Sequence, residues 1–245
     1  MSTTLDLSGL NRDDLLAMRS AADEVIECLR ALEDGELSLV GEIKRGHGEL
    51  PELEHYPPDD VQQEESQYFF HWHEDRGDLE IGHFHTFLRL HDNEATHIIA
   101  ISMQDESTPV NLFCTNQWVT DERLVDAEEL IDSLALFNID HASPSWPVNR
   151  WVSAMLVLFR PQIAFLLSHR DQRLTEAAEE SGEEIETVWR DHSIEVTGLL
   201  PIDVDAQVRS IDKALANLAR KKKAKAKSKT KANTKTKAKT TRKKS

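Results

Sequence analysis

Two short histidine motifs are the part of this chain best suited to chemistry. The sequence reads Phe-His-Trp-His over 70–73 and Gly-His-Phe-His over 82–85. In an extended strand, side chains two residues apart point to the same face and lie roughly 7 Å apart along the strand. Neutral imidazole is also the commonest metal ligand among protein side chains. Each motif therefore offers two potential ligands that point the same way.

Pairing of the two motifs in a hairpin would bring the four imidazoles together. Directly opposed residues of an antiparallel pair share a face, and all four histidines have odd numbers. If residue 77 or 78 is the centre of the hairpin, His71 lies opposite His83 or His85. The sequence thus predicts a site for a divalent transition metal, which is Zn, Fe or Cu, with the ligands His71, His73, His83 and His85.

The number of ligands decides what such a site does. Three histidines and a water form an open site of the kind found in enzymes, whereas four histidines favour binding or storage. His97 is odd-numbered and opens the next predicted strand, so it is a possible further ligand. Glu74 and Glu80 have even numbers and are expected to face the other way unless a bulge intervenes. Without a metal, the same histidines would form an acid/base site or a cleft for a small organic ligand.

Four strands between residues 68 and 116 are predicted to position the histidines. Aromatic and β-branched residues alternate there with polar ones, and turn residues separate the runs. Such short links favour an antiparallel meander. The predicted strands are Tyr68–Glu74, Glu80–Leu90, Thr96–Met103 and Val110–Asn116, with a turn around Arg76 and Gly77. The segment 46–60 is predicted to be a loop, and residues 193–202 are ambiguous, with an extended stretch as one interpretation.

The rest of the chain has the periodicity of helices. Apolar residues recur at three- and four-residue steps on either side of the predicted sheet. The predicted helices cover residues 12–33, Asp121–Phe137, Pro147–Phe159, a segment from Pro161 to Glu180, and Val204–Leu218. We therefore expect an α+β fold in which a four-stranded antiparallel meander packs with helices on one side.

The charge is divided sharply between two parts of the chain. Residues 220–245 hold 14 of the 29 Lys and Arg and none of the 44 acids, so residues 1–219 keep 15 bases and a net charge of −29. We predict one acidic α+β domain over 1–219 and a disordered lysine-rich tail over 220–245, because the tail cannot bury apolar surface.

The tail is the second candidate for function. Lysine-rich tails of this kind bind nucleic acid by releasing counterions, with strong salt sensitivity and without sequence preference. The first lysines that would make such contacts are Lys221, Lys222, Lys223, Lys225 and Lys227. Two alternatives stay open: the tail folds loosely onto its own acidic domain, or it has no specific role.

Cysteine usage and the N-terminal sequence favour a cytoplasmic protein. Cys28 and Cys114 form no CxxC pair, which is typical of a reducing compartment. No signal peptide is predicted, and the most apolar stretch, residues 151–167, is too broken to span a bilayer. Cys114 is predicted either to be a nucleophile or soft ligand or, more commonly for a buried strand cysteine, to be inert. The chain has no P-loop, GxGxxG or HExxH motif, which disfavours nucleotide hydrolysis and dinucleotide binding.

The histidine motifs also carry a resemblance to a known family. The runs 68–73, 82–89 and 116–120, together with 55–60, resemble a family of uncharacterised proteobacterial proteins, a domain of unknown function. The likeness covers most of residues 10–200 and excludes the tail. It implies a shared domain and a bacterial origin, and it brings no established activity.

Five more residues are weaker candidates for ligand binding. The resemblance makes His55, Asp59 and the adjoining Asp60 candidates, although a rigid proline turn with a capping aspartate explains them better. Arg89 would hold an anionic substrate or pair with surface acids. Asn116 would border a ligand pocket, together with a neighbouring Trp that, beside a helix cap, is more often a packing residue.

Overall fold

The sheet that carries the histidine motifs has six strands in the part of the chain that the structure describes. The structure is a computed structural model, and it describes residues 5–73 and 80–241, with side chains as far as residue 222. The predicted turn around Arg76 and Gly77 lies outside these residues, as does Glu74. Each strand pairs antiparallel with the next strand along the chain. The strands are β1 (Tyr56–Gln63), β2 (Ser66–His71), β3 (Gly82–Arg89), β4 (Ala95–Met103), β5 (Pro109–Thr115) and β6 (Val196–Pro201).

The predicted meander is confirmed as β2–β5, and the predicted number of four strands is wrong. Both missed strands lie at an edge of the sheet. The segment 46–60, predicted to be a loop, ends in β1, which contains Pro57 and Pro58. Proline cannot donate a hydrogen bond within a sheet, but an edge strand tolerates it on its outer side. The ambiguous stretch 193–202 contains β6, the other edge.

Eight α-helices complete the described fold. They are α1 (Arg12–Asp34), α2 (Leu39–Lys44), α3 (Gln117–Thr120), α4 (Ala127–Ser133), α5 (Trp146–Leu158), α6 (Arg160–Ser181), α7 (Ile185–Val188) and α8 (Val204–Thr241). The predicted helix Asp121–Phe137 is confirmed only from Ala127 onward, and its predicted start is wrong. The Asn116 side chain caps α3 instead, and Asp121 ends it in the left-handed conformation at φ 49°. A new helix, α4, begins only at Ala127.

One face of the sheet forms the hydrophobic core with the helices. Tyr68 and Phe70 of β2 and Phe84 of β3 are fully buried together with Trp151 of α5. The Tyr68 hydroxyl donates a 2.6 Å hydrogen bond to Oδ1 of Asn149, so the buried phenol is not left without a partner. Because of this packing, the even-numbered residues of β2 and β3 face the core, and the odd-numbered residues face the opposite side of the sheet.

The last helix continues into the lysine-rich segment. Its apolar residues Val208, Ile211, Leu215 and Leu218 pack on the core, whereas no residue after Leu218 is more apolar than alanine. The backbone is helical as far as Thr241, although a disordered tail was predicted from residue 220. Alanine and lysine both favour the helix, but a helix without tertiary packing is marginal in water. The division into a domain over 1–219 and a tail over 220–245 stays a prediction.

No single helix of the described chain is long and apolar enough to cross a bilayer. The pair α5 and α6 has the required length and composition only when joined, and the two helices bend by 71° at the break between them. Most of the large apolar side chains of α5 are buried in the protein core.

Candidate metal centre

The register of β2 and β3 brings the two histidine motifs face to face. His71 is the direct partner of His83, and Phe69 is the partner of His85. The sequence prediction that His71 lies opposite His83 or His85 is therefore confirmed. His71, His83 and His85 are buried, and His73 follows the end of β2 in a partly buried position.

Glycine is required where β3 begins. Gly82 has φ +143°, a conformation that side chains other than glycine rarely adopt. A Cβ atom at this position would lie 2.4 Å from the carbonyl oxygen of His71 and 2.4 Å from Cζ of Phe70. The bare backbone of Gly82 therefore lets β3 approach the end of β2 closely enough for His83 to meet His71.

Three imidazoles form a group with the spacing of metal ligands. One ring nitrogen from each of His71, His73 and His83 lies within 4.8 Å of the other two. The Nε2 atoms of His71 and His83 are 2.8 Å apart. Two nitrogens on one tetrahedral zinc, at 2.0–2.1 Å each, are about 3.3 Å apart. A shift of about half an ångström would therefore turn this hydrogen-bonded pair into two ligands of one ion.

Glu80 contacts the ring nitrogen of His83 that does not contact His71. Its Oε1 atom lies 2.5 Å from Nδ1 of His83, and both side chains are buried. Glu80 was expected to face away because of its even number, and that expectation is wrong. It precedes β3, so the strand alternation does not apply to it. A carboxylate on the remote nitrogen of a metal-binding histidine fixes the tautomer and makes the ring a stronger ligand.

Two more histidines extend the site through hydrogen bonds. Nδ1 of His85 lies 2.9 Å from Nε2 of His97, and Nδ1 of His97 lies 3.3 Å from the Thr115 hydroxyl. The His85 ring centroid is 4.7 Å from that of His83 and 4.9 Å from that of His71. The predicted ligand His85 and the possible ligand His97 therefore adjoin the three-histidine group. We call the five imidazoles the histidine cluster: His71, His73, His83, His85 and His97.

Burial keeps three of the five imidazoles in the cluster uncharged. Burial, followed by the nearby imidazoles His83, His73 and His55, lowers the pKa of His71 to about 2. Burial is also the main cause that lowers the pKa of His97 to about 3 and holds the pKa of His85 well below its usual range. At neutral pH these rings are neutral, which is the form that binds metals.

Phenylalanine rings separate the cluster from water. Phe69 lies 5.3 Å from both His71 and His85, between ring centroids. Phe113 of β5 lies 5.0 Å from His83. Such apolar neighbours lower the local polarity and strengthen any charge interaction inside the site. Sequence reasoning missed these rings as part of the site, although their odd numbers place them on the histidine face.

His55 borders the cluster on its more exposed side. Its ring stacks on Phe69 with a centroid distance of 3.5 Å, and it lies 6.1 Å from His71. Its Nδ1 atom is 2.8 Å from Oδ1 of Asp60, and the other carboxylate oxygen of Asp60 accepts a 2.6 Å hydrogen bond from Gln67. The neighbouring candidate Asp59 is exposed and lines a shallow groove beside β1 instead.

The remaining sequence candidates lie apart from the cluster. Arg89 donates a 2.7 Å hydrogen bond to the backbone oxygen of Asn93 at the far end of β3. Asn116 is buried, caps α3 and donates to the backbone oxygen of Val188, so its side chain is used within the fold. Cys114 faces the helices, where burial raises its pKa to about 12. A buried thiol that stays protonated is a poor nucleophile, which favours the inert alternative. Both Cys28 and Cys114 are free thiols.

Comparison with known proteins assigns the chain to a family. The family described as "Domain of unknown function (DUF6969)" matches residues 19–202. The chain belongs to this family. The DUF6969 domain thus includes the whole histidine cluster and Glu80, and it ends before the lysine-rich segment. Comparisons with curated proteins and with solved structures give no match. The resemblance to a domain of unknown function is confirmed, whereas a bacterial origin stays a prediction.

Proposed function

We propose that this protein binds one divalent transition metal ion through His71, His73 and His83. The observation that carries the proposal is the group of three ring nitrogens within 4.8 Å of one another. The carboxylate of Glu80 behind His83 supports it independently, because it is the usual partner of a metal-binding imidazole. Three imidazole ligands suit Zn, Fe or Cu.

The same geometry favours an enzyme over a storage protein. Three protein ligands leave a coordination position for a water or a substrate, and a bound metal supplies Lewis acidity and an activated water there. The chain itself holds the ligands His71 and His83 on neighbouring strands. Glu80 fixes the tautomer of His83, and the rings of Phe69 and Phe113 keep bulk water out of the site. We propose that the DUF6969 domain is a metal-dependent enzyme acting on a small molecule at this site.

Zinc titration of chelator-stripped protein tests the metal proposal. We expect the wild-type chain to bind one equivalent, whereas His71→Ala and His83→Ala lose most of the affinity because each removes one of three ligands. His91→Ala is the matched control, since His91 is exposed and pairs with Glu129 away from the cluster. Equal binding by the wild type and His83→Ala would contradict the proposal.

Glu80→Gln in the same titration tests the role of the carboxylate. We expect the zinc dissociation constant to rise about 10- to 100-fold, which is the usual effect of removing such a partner. Glu129→Gln is the control, because Glu129 makes a matching contact with the exposed His91. An unchanged constant in Glu80→Gln would show that this carboxylate does not support a metal ligand.

We propose nucleic-acid binding as a separate function of the lysine-rich tail. The tail combines 14 positive charges with no acid, and it follows Leu218, which is the last residue of α8 to pack on the core among the side chains that the structure describes. Twenty helical residues beyond residue 221 would extend about 30 Å. No apolar residue larger than alanine is present, so the tail lacks the face with which an amphipathic helix enters a membrane.

A further inference from the structure

His85 adjoins the proposed metal ligands but is not one of the three. Its ring is 1% exposed and lies beside both His71 and His83. Among the described residues, the atoms within 4.8 Å of one another come from His71, His73 and His83. Nε2 of His85 is buried and has no hydrogen-bond partner in the described part of the chain. Buried polar atoms are rarely left in this state, so such an atom calls for a partner that binds from outside.

The other nitrogen of His85 is held in place by a chain of hydrogen bonds. Nδ1 of His85 contacts Nε2 of His97, and Nδ1 of His97 contacts the Thr115 hydroxyl. A neutral imidazole carries one proton, so each ring donates at one nitrogen and accepts at the other. When the Thr115 hydroxyl donates to His97, His97 donates to His85, and the proton of His85 is placed on Nε2. In this arrangement, with the Thr115 hydroxyl as the first donor, Nε2 of His85 is a hydrogen-bond donor.

We propose that His85 donates this hydrogen bond to an oxygen atom of a small anion bound at the metal. This inference rests on the proposed metal site and names the class of its ligand, a small oxyanion such as a carboxylate. An oxygen ligand lies about 2 Å from the metal, and a nitrogen that donates a hydrogen bond to this oxygen lies about 3 Å from it. A histidine just outside the group of metal ligands is suitably placed to be that donor. Burial of His83 and His85 restricts the ligand to a small one.

Formate binding to the cobalt-loaded full chain tests the assignment. Formate is added while the visible absorption of the bound Co²⁺ is followed. We expect a saturable spectral change in the wild type. In His85→Phe we expect the cobalt stoichiometry to be retained and the formate dissociation constant to rise at least tenfold. Thr115→Val, which removes the hydroxyl and keeps the shape, should weaken formate binding by a smaller factor.

His85→Gln distinguishes a lost donor from a disturbed fold. Its amide can donate from nearly the same position, so it should bind formate more tightly than His85→Phe. Loss of cobalt in both His85 variants would identify His85 as a ligand and overturn the assignment. Cobalt binding with no response to formate, or equal formate affinity in wild type and His85→Phe, would overturn it while leaving the metal proposal intact. A wild type that binds no cobalt would refute both.

Discussion

The metal-free protein is expected to lose stability steeply as the pH falls below 6.5. The pKa values of His71 and His97 are lowered to about 2 and about 3, and that of His85 lies well below its usual range. Unfolding returns each ring to a pKa near 6.5, so between these values the unfolded chain binds up to three more protons than the folded one. The stability that these three neutral histidines contribute is fully present above pH 6.5 and is lost as the pH falls.

The carboxylate of Glu122 has the opposite effect on the pH dependence of stability. Burial raises the pKa of Glu122 to about 7, so the folded state holds its proton more tightly between pH 4.5 and 7. As the pH falls, the three histidines lower the free energy of unfolding by about 4 kcal/mol per pH unit, and Glu122 offsets about 1 kcal/mol of this loss. A net loss of about 3 kcal/mol per unit would unfold a domain of about 5 kcal/mol stability near pH 5.

Urea unfolding at pH 7.5, 6.5 and 5.5 measures this loss. We expect the free energy of unfolding to fall by several kcal/mol between the two lower pH values, and Glu122→Gln to make the fall steeper. His91→Ala should leave the slope unchanged, because His91 is exposed. An equal free energy of unfolding at pH 7.5 and 5.5 would show that His71, His85 and His97 are not buried as neutral rings.

Removal of residues 221–245 is expected to abolish binding to duplex DNA. The full chain should bind a 20-base-pair duplex of arbitrary sequence at 50 mM salt, because the tail displaces counterions from the phosphates. With about 6–10 phosphates contacted, its affinity should fall about 10³- to 10⁵-fold between 50 and 200 mM salt. Fluorescence anisotropy of the labelled duplex measures both effects.

A variant with fewer positive charges separates the charge of the tail from its length. Replacement of five lysines by glutamine should flatten the dependence of affinity on salt while leaving the chain intact; these are Lys221, Lys222, Lys223, Lys225 and Lys227. A tail that folds onto the acidic domain, with its net charge of −29, would give no binding at either salt concentration. Equal binding by the full and the shortened chain would place the DNA contact elsewhere.

The histidine face could be predicted from the sequence because it depends on one simple periodicity. Side chains alternate strictly along β2 and β3, and the two strands pair without a break from Ser66 to His71. Odd numbers were therefore enough to place His71, His83 and His85 together. His97 could also be predicted, although the register of β3 and β4 shifts between Thr86 and Phe87.

The features that escaped prediction lie where this periodicity stops. Glu80 precedes β3, and its contact with His83 depends on the backbone turn at Gly82, which no alternation describes. The edge strands β1 and β6 contain proline or glycine and lack a second neighbour, so their sequences are weak strand signals. The hydrogen bond of Thr115 with His97 joins β5 to β4 and requires the three-dimensional register.

X-ray absorption at the zinc edge of the stoichiometrically loaded protein reports the ligands of the ion. We expect a four-coordinate ion with three imidazole nitrogens at about 2.0 Å and one oxygen. Glu80→Gln should keep this ligand set at saturating zinc, whereas His83→Ala should not. A shell of six oxygens, or a shell with fewer than two imidazoles, would contradict the assignment of His71, His73 and His83 as the metal ligands.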